Sequence, residues 1–367
     1  SGQGGGGTGE GGGTADTPYF TNAPVAHISA ETIDRYRGTS PADILRGTAG
    51  AMSGEARNSG SSIDVNIRGM QGFGRVVTTV DGAENAVTVY QGYQGVSNRT
   101  FVDPDFIGGI DVTKGADAAN WGNAGSVAMR TLGAEDLVKP GETWGIRLKG
   151  SIVGNTSKPE TGSLAGYGLN LTTLTPSATG LDRPSFLEPT AGSASIVGGL
   201  RLEGLDIVAG YAWRKRGNYH AGTKDGDGLW VEPVLGTNGR YTNAGYTNYR
   251  PGEEVLNTEL ETRSWLFKAT AQFDEEHSLR LGYTGFRSEG GDLLASRLSG
   301  ATGRAAQARQ TAGTRLDTAT ARYRWNPTDN DLLDLTANAY WTYLELRNPI
   351  RGGRGRTPQQ YGLSPDF

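Results

Sequence analysis

From Thr143 onward apolar and polar residues alternate one for one, which is the period of a strand whose successive side chains fall on opposite faces of a sheet. Trp144, Ile146, Leu148 and Ile152 share one face, and Arg147, Lys149 and Ser151 share the other. The same alternation predicts strands near 193–203, 205–216, 259–273, 277–288, 314–325 and 331–346. In the last of these, Leu333, Leu335, Ala337, Ala339, Trp341 and Tyr343 oppose Asp334, Thr336, Asn338 and Tyr340. The connections alternate as well. Those at 203–205, 274–276 and 326–330 are tight, whereas 156–192, 217–257 and 289–313 are long and rich in Gly, Thr and Asn. Short turns at one end and long loops at the other belong to a barrel that spans a membrane, with its apolar face toward lipid. Trp144, Trp213, Trp265 and Trp341 are therefore expected on the lipid side or at its interface.

The preceding region reads differently. Residues 1–13 are a Gly-rich linker, and 14–135 hold short strands, each ended by a Gly or Pro turn. They open with a short strand, Pro24 to Ser29, and a helical turn, Glu31 to Tyr36. Composition agrees with an all-β chain, with 58 Gly, 15 Tyr and 7 Trp against 3 Met. No apolar run approaches the ~20 residues of a membrane helix. A net charge of -4 argues against a nucleic-acid partner, and the absence of cysteine excludes disulfides and thiolate metal sites. The 3 histidines, His27, His220 and His277, fall in no metal-binding spacing, and no nucleotide loop or nucleophile elbow is present. The chain does not read as an enzyme.

Within 14–135 a series of motifs occurs in fixed order. Pro41-Ala42-Asp43-Ile44-Leu45 leads to Gly50, Asn66-Ile67-Arg68-Gly69 follows, and then come Val80-Asp81-Gly82, Asp103-Pro104-Asp105 and Val112-Thr113-Lys114-Gly115. This series resembles the plug of TonB-dependent outer-membrane receptors, and Trp121-Gly122-Asn123-Ala124-Gly125-Ser126-Val127 stands where that family has a longer Gly-rich run. Ile67 to Gln71, Gly74 to Val76, Ile110 to Gly115 and the handover Arg130 to Gly141 are most similar to the haem and haemophore receptors.

The resemblance implies an α+β plug, 14–135, in the lumen of an all-β membrane barrel. Residues 136–367 would be the first seven strands of that barrel, ending in an extracellular loop at Arg351 to Phe367. Plugged transporters have about 22 strands, so a further segment of the same receptor is expected to supply the rest. Cargo contacts are expected at the plug apex, 83–101, and on the long loops. The candidates are Tyr90, Gln91, Tyr93 and Gln94, with Tyr219 and His220 in the second extracellular loop. Tyr93 stands where haem receptors of this type can have a histidine, and tyrosinate also ligates haem iron. Arg46 and Arg68 are the expected latch, pairing with acids on the barrel wall, on this chain or beyond it. Asp81 and the pair Asp103 and Asp105 read as turn formers.

The implied function is active transport of scarce cargo, haem or another iron complex, across the outer membrane, driven by the inner-membrane TonB complex. No cofactor is intrinsic to it. The plug's start would face the periplasm and the long loops the exterior, with outer-membrane lipid and a haemophore or surface protein as partners. The alternatives are a ferric-siderophore or carbohydrate receptor and, in another class, a passive attachment barrel.

Overall fold

The computed structural model describes residues 24–35, 40–53, 61–72, 74–90, 96–116, 121–154, 156, 169–170, 175–176, 184–185, 187–224, 234–235, 241–242, 251–255, 258–291, 311–330 and 332–347. The linker at 1–13 and the terminal stretch from Arg351 lie outside the described residues.

The plug is built on a mixed four-stranded sheet of β1 (Val25–Ser29), β2 (Val76–Val80), β3 (Ile107–Lys114) and β4 (Gly125–Thr131), in the order β1-β3-β4-β2. Only the β2 and β4 pair is parallel. Helix α1 (Ala30–Arg35) follows β1, and Pro41–Leu45 is a buried 3-10 turn. Ile28, Leu45, Ile63, Ile67, Val80, Ile110, Val127 and Met129 form the plug core.

Two of the sequence motifs are tight turns of one kind. Arg68 and Gly69 have φ of 51° and 89°, and Asp81 and Gly82 have 48° and 80°. Positive φ at both central residues is the two-residue hairpin turn that matches strand twist, and it suits Asp or Asn followed by Gly. Each turn is closed by a reciprocal backbone pair, Ile67 with Met70 and Val80 with Ala83. Gly125 answers a different demand. Its φ is 137°, and a Cβ there would lie 2.0 Å from the Thr113 carbonyl oxygen on the neighbouring strand.

The wall is one antiparallel seven-stranded sheet in sequence order: β5 (Trp144–Val153), β6 (Ala191–Leu202), β7 (Leu205–Arg216), β8 (Leu260–Gln272), β9 (His277–Gly291), β10 (Thr311–Trp325) and β11 (Leu335–Arg347). β5 and β11 are its two edges and do not pair with each other. Among the described residues no helix is long and apolar enough to cross a membrane.

Burial follows the alternation. In β8 the even-numbered Thr262, Ser264, Leu266 and Lys268 are buried against the plug, while Arg263, Trp265 and Phe267 face away. Trp144, Leu148 and Ile152 on β5 are 61%, 70% and 78% exposed, an outer apolar face with no protein cover. Trp213, Trp265 and Trp341 lie on that same outer side.

The connection predicted at 326–330 is longer, because β11 begins only at Leu335. Arg324 holds Asp334 through two bonds of 3.0 and 2.8 Å, and the Leu333 amide donates to the Asn330 carbonyl, so this stretch closes a turn before the ladder starts.

Candidate functional site

The plug meets the inner face of the wall along a seam that is apolar at its centre and ionic around it. Phe106 reaches between Val197, Val208, Ala212 and Leu266 of the wall. Gly210 makes room for it, since a Cβ at that position would come within 3.1 Å of the Phe106 ring. A second contact sets Phe101 against Phe286, ring centroids 5.8 Å apart and tilted by 40°, beside Leu316.

The main ion pair joins Lys268 of β8 to Asp81 in the Val80-Asp81-Gly82 turn at 3.2 Å. Lys268 also donates to the Thr131 carbonyl at 3.2 Å, and Asp81 accepts from the Thr131 amide at 2.9 Å and from the Thr131 hydroxyl. Burial raises the Asp81 carboxyl. The Lys268 ammonium and the Thr131 hydrogen bonds together outweigh burial and hold it below the ordinary aspartate value.

The second pair is looser. Arg214 of β7 lies 3.6 Å from Asp103 and 3.8 Å from Asp105, with all three side chains at most 7% exposed. These separations exceed hydrogen-bond length, and Nε and Nη2 of Arg214 have no hydrogen-bond partner. Asp103 itself caps the short helix Pro104–Phe106 by accepting from the Asp105 amide at 2.9 Å. Burial raises the Asp103 carboxyl and the neighbouring Asp105 adds to it, against the opposing pull of Arg214.

Two further wall cations on β5 complete the seam. Arg147 donates to the Asp105 carbonyl, and Lys149 pairs with Asp34 at the end of α1. Ser61 of the plug donates to Ser288 of β9 at 2.8 Å. At the handover, Arg130 holds Asp136 at 2.6 and 3.0 Å and Glu135 at 3.2 Å, tying the last plug strand to the segment that leads into the wall. The hydrogen bonds to Asp136 raise the Arg130 guanidinium further.

The expected latch residues are placed elsewhere. Arg46 and Arg68 are both exposed, and among the described residues neither reaches a wall carboxylate. Arg68 is also the first left-handed residue of its turn. The pairs that do form have the opposite polarity, with acids on the plug and bases on the wall. Asp81 and the Asp103-Pro104-Asp105 run are turn formers as expected, and they also carry the seam. A sequence cue for the wall partners existed in Arg147 and Lys149, which oppose the apolar face of β5, and in Lys268, which opposes Trp265 and Phe267. What periodicity could not supply is which plug turn each cation meets.

Among the cargo candidates, Tyr90 ends the strand Val87–Tyr90, and Gln91, Tyr93 and Gln94 lie outside the described residues. His220 is 7% exposed and bonds the Gly252 carbonyl through Nδ1 at 2.9 Å. It therefore anchors the base of its loop. Asn218, two residues away, bonds Glu254 at 2.9 Å and accepts from the Thr258 and Glu259 amides at 3.0 and 2.9 Å. Tyr219 is half-buried, and its amide donates to Thr258. Among the described residues no group of three or more His, Cys, Asp or Glu could hold a metal ion.

Comparison with known proteins follows the same division of the chain. Residues 17–128 match the TonB-dependent receptor plug domain. The hemophilin receptor of Acinetobacter baumannii is 31% identical over 357 residues, covering 91% of this chain and 33% of that protein. Among solved structures, a double mutant of the Serratia marcescens hemophore receptor HasR, in complex with its hemophore HasA and heme, superposes with a TM-score of 0.62 at 21% identity. That match covers 89% of this chain and 38% of HasR. The FrpB iron transporter of Neisseria meningitidis gives 0.57 at 18% identity, over 86% of this chain and 40% of that one. The chain thus spans about a third of the length of the relatives it matches.

Proposed function

From the premise that the chain carries a TonB-dependent receptor plug and part of a receptor barrel wall, we propose that it belongs to an outer-membrane transporter that takes up haem or another iron complex. The observation that carries this reading is the seam. Its apolar contacts, around Phe106 and around Phe101, are accompanied by buried ion pairs between plug and wall. Such pairs cost desolvation and give little net stability, but they define one seating. The Lys268 and Asp81 pair is hydrogen-bonded, and the Arg214 pair is not. The plug is thereby seated in register and remains releasable by a pull on its N-terminal side.

In this reading the tight turns face the periplasm and the long loops the exterior. Cargo meets the apex segment with Tyr90, Gln91, Tyr93 and Gln94, flanked by the loop that carries Tyr219 and is braced by His220. The likeness to the hemophilin receptor favours a hemophilin-like partner at the outer face. The energy comes from the inner-membrane TonB complex, because the outer membrane has no nucleotide supply, and the chain does no covalent chemistry.

The test is a visible absorption titration of the whole receptor with haem, beside uptake by cells. The expected outcome is a shifted Soret band that weakens when Tyr90 and Tyr93 are replaced together, and uptake that stops when the proton-motive force is collapsed. An unshifted band with uptake of a ferric siderophore would assign the cargo differently. Uptake indifferent to the proton-motive force would leave a passive barrel.

A further inference from the structure

On the side of the wall away from the plug, the long-loop ends of β8 to β11 carry a row of charge that transport leaves unused. Strand register sets Arg263 opposite Arg287, and Arg287 opposite Arg315. Three guanidinium groups thus sit side by side on adjacent strands, a like-charge arrangement that Asp317, between Arg287 and Arg315, and Glu261, beside Arg263, offset in part. With Arg347 they line a cavity of about 400 Å³, shared with Glu261, Glu289 and Glu345.

The four arginines are committed to different degrees. Arg287 is spent, since it bonds Asp317 at 2.8 and 3.0 Å and the carbonyls of Phe286 and Leu316 at 2.8 and 3.1 Å. Arg263 gives one nitrogen to Glu261 at 2.8 Å, and Arg315 gives Nε to Asp317 at 3.0 Å. Arg347 is 3.9 Å from Glu345. These last three side chains are 59%, 52% and 82% exposed. A guanidinium has five N–H donors in a fixed fork, so each keeps donors directed outward.

One strand position nearer the tight turns the same face becomes aromatic. Arg287 lies 5.7 Å over the Trp265 ring, and Arg315 lies 5.3 Å over Tyr343. Beyond them Phe267 and Leu281 are exposed. An aromatic girdle with apolar surface on one side and charge on the other marks the level of lipid headgroups.

We propose that this row binds a phosphorylated glycolipid of the outer leaflet, its phosphate held by Arg263, Arg315 and Arg347 while Arg287 and Asp317 fix the row. Arginine forks match phosphate oxygens, and basic pockets at the membrane face hold anionic headgroups. A free anion would gain nothing from the exposed apolar and aromatic surface directly below, whereas acyl chains would cover it. The proposal rests on the orientation given above, with the long loops outside.

The test uses the whole receptor in mild detergent, titrated in native mass spectrometry with bis-phosphorylated lipid A, with the same lipid stripped of phosphate, and with inorganic phosphate. The phosphorylated lipid is expected to stay bound about tenfold more tightly than the stripped one. The combined variant R263Q, R315Q and R347Q is expected to lose that advantage, and the matching lysine variant to keep part of it. Should the combined variant not fold, each single glutamine variant is expected to weaken retention several-fold. Equal binding of the stripped lipid, unchanged retention in the variants, or full displacement by inorganic phosphate would overturn the proposal. Orientation is checked separately by a T223C variant in intact cells with an impermeant maleimide. Failure to label there would reject the orientation whatever the lipid data say.

Discussion

Asp81 and Asp103 are two buried plug carboxylates facing wall cations, and they should answer mutation and acid in opposite ways. Removing Lys268 strands a buried Asp81, so Lys268→Ala alone should destabilise plug seating by about 3–5 kcal/mol, with much of this recovered when Asp81→Asn is added. A double-mutant cycle on plug unfolding in urea checks this, and additive single effects would deny the pairing. Asp81 has its folded pKa below the ordinary value, so its contribution is present above the unfolded pKa of about 3.9 and is lost as pH falls through the folded one. Asp103 has its folded pKa raised, so its contribution is present below the unfolded pKa and is lost as pH rises through the folded one. At neutral pH, Asp103→Asn should therefore change seating by no more than about 1 kcal/mol, since Asn keeps the helix cap. Asp81→Asn should be clearly destabilising there, with the difference closing in acid. Hydrogen exchange in the two turns from neutral to acid pH reads both.

At the scale of elements, the wall was legible because its alternation is uninterrupted and its apolar residues face outward. The faces of β5 to β8 agree with the alternation, and strand register puts Trp341 and Tyr343 of β11 on the same outer side. Strand ends were less legible. β10 starts at Thr311, inside a stretch that reads as loop, and β11 starts late because Arg324 and Asn330 hold the turn. In the plug, the motif glycines were visible as turns, but two demands on glycine looked alike. Gly69 has φ of 89° with open space around its missing Cβ, whereas Gly125 has φ of 137° and no space at all. Gly69→Ala is expected to cost about 1 kcal/mol from backbone strain. Gly125→Ala should exceed that by about 2 kcal/mol or more, because β3 and β4 must separate. Urea unfolding of the plug in the two variants compares them directly, and equal losses would mean that the close approach to Thr113 is not rigid.

At the scale of the molecule, the proposed function depends on a contact between two parts that a linear pattern describes separately. Periodicity marked the cations on the inner face of the wall, and the motif series marked the plug turns. Their meeting depends on how the plug sits, which is why the components of the seam were legible but not which plug turn each wall cation meets. The central claim is that this seam must open for cargo to pass. Ser61 on the plug and Ser288 on the wall have their hydroxyl oxygens 2.8 Å apart, and the chain contains no cysteine. A Ser61→Cys and Ser288→Cys pair can therefore be oxidised to a cross-link between the two parts, with no competing thiol in these 367 residues. Haem uptake by cells carrying this receptor is the decisive measurement. Uptake should stop under oxidising conditions and return on reduction, while haem binding at the outer face persists. Unimpaired uptake through a receptor whose cross-link has been verified would contradict release of the plug from this seam.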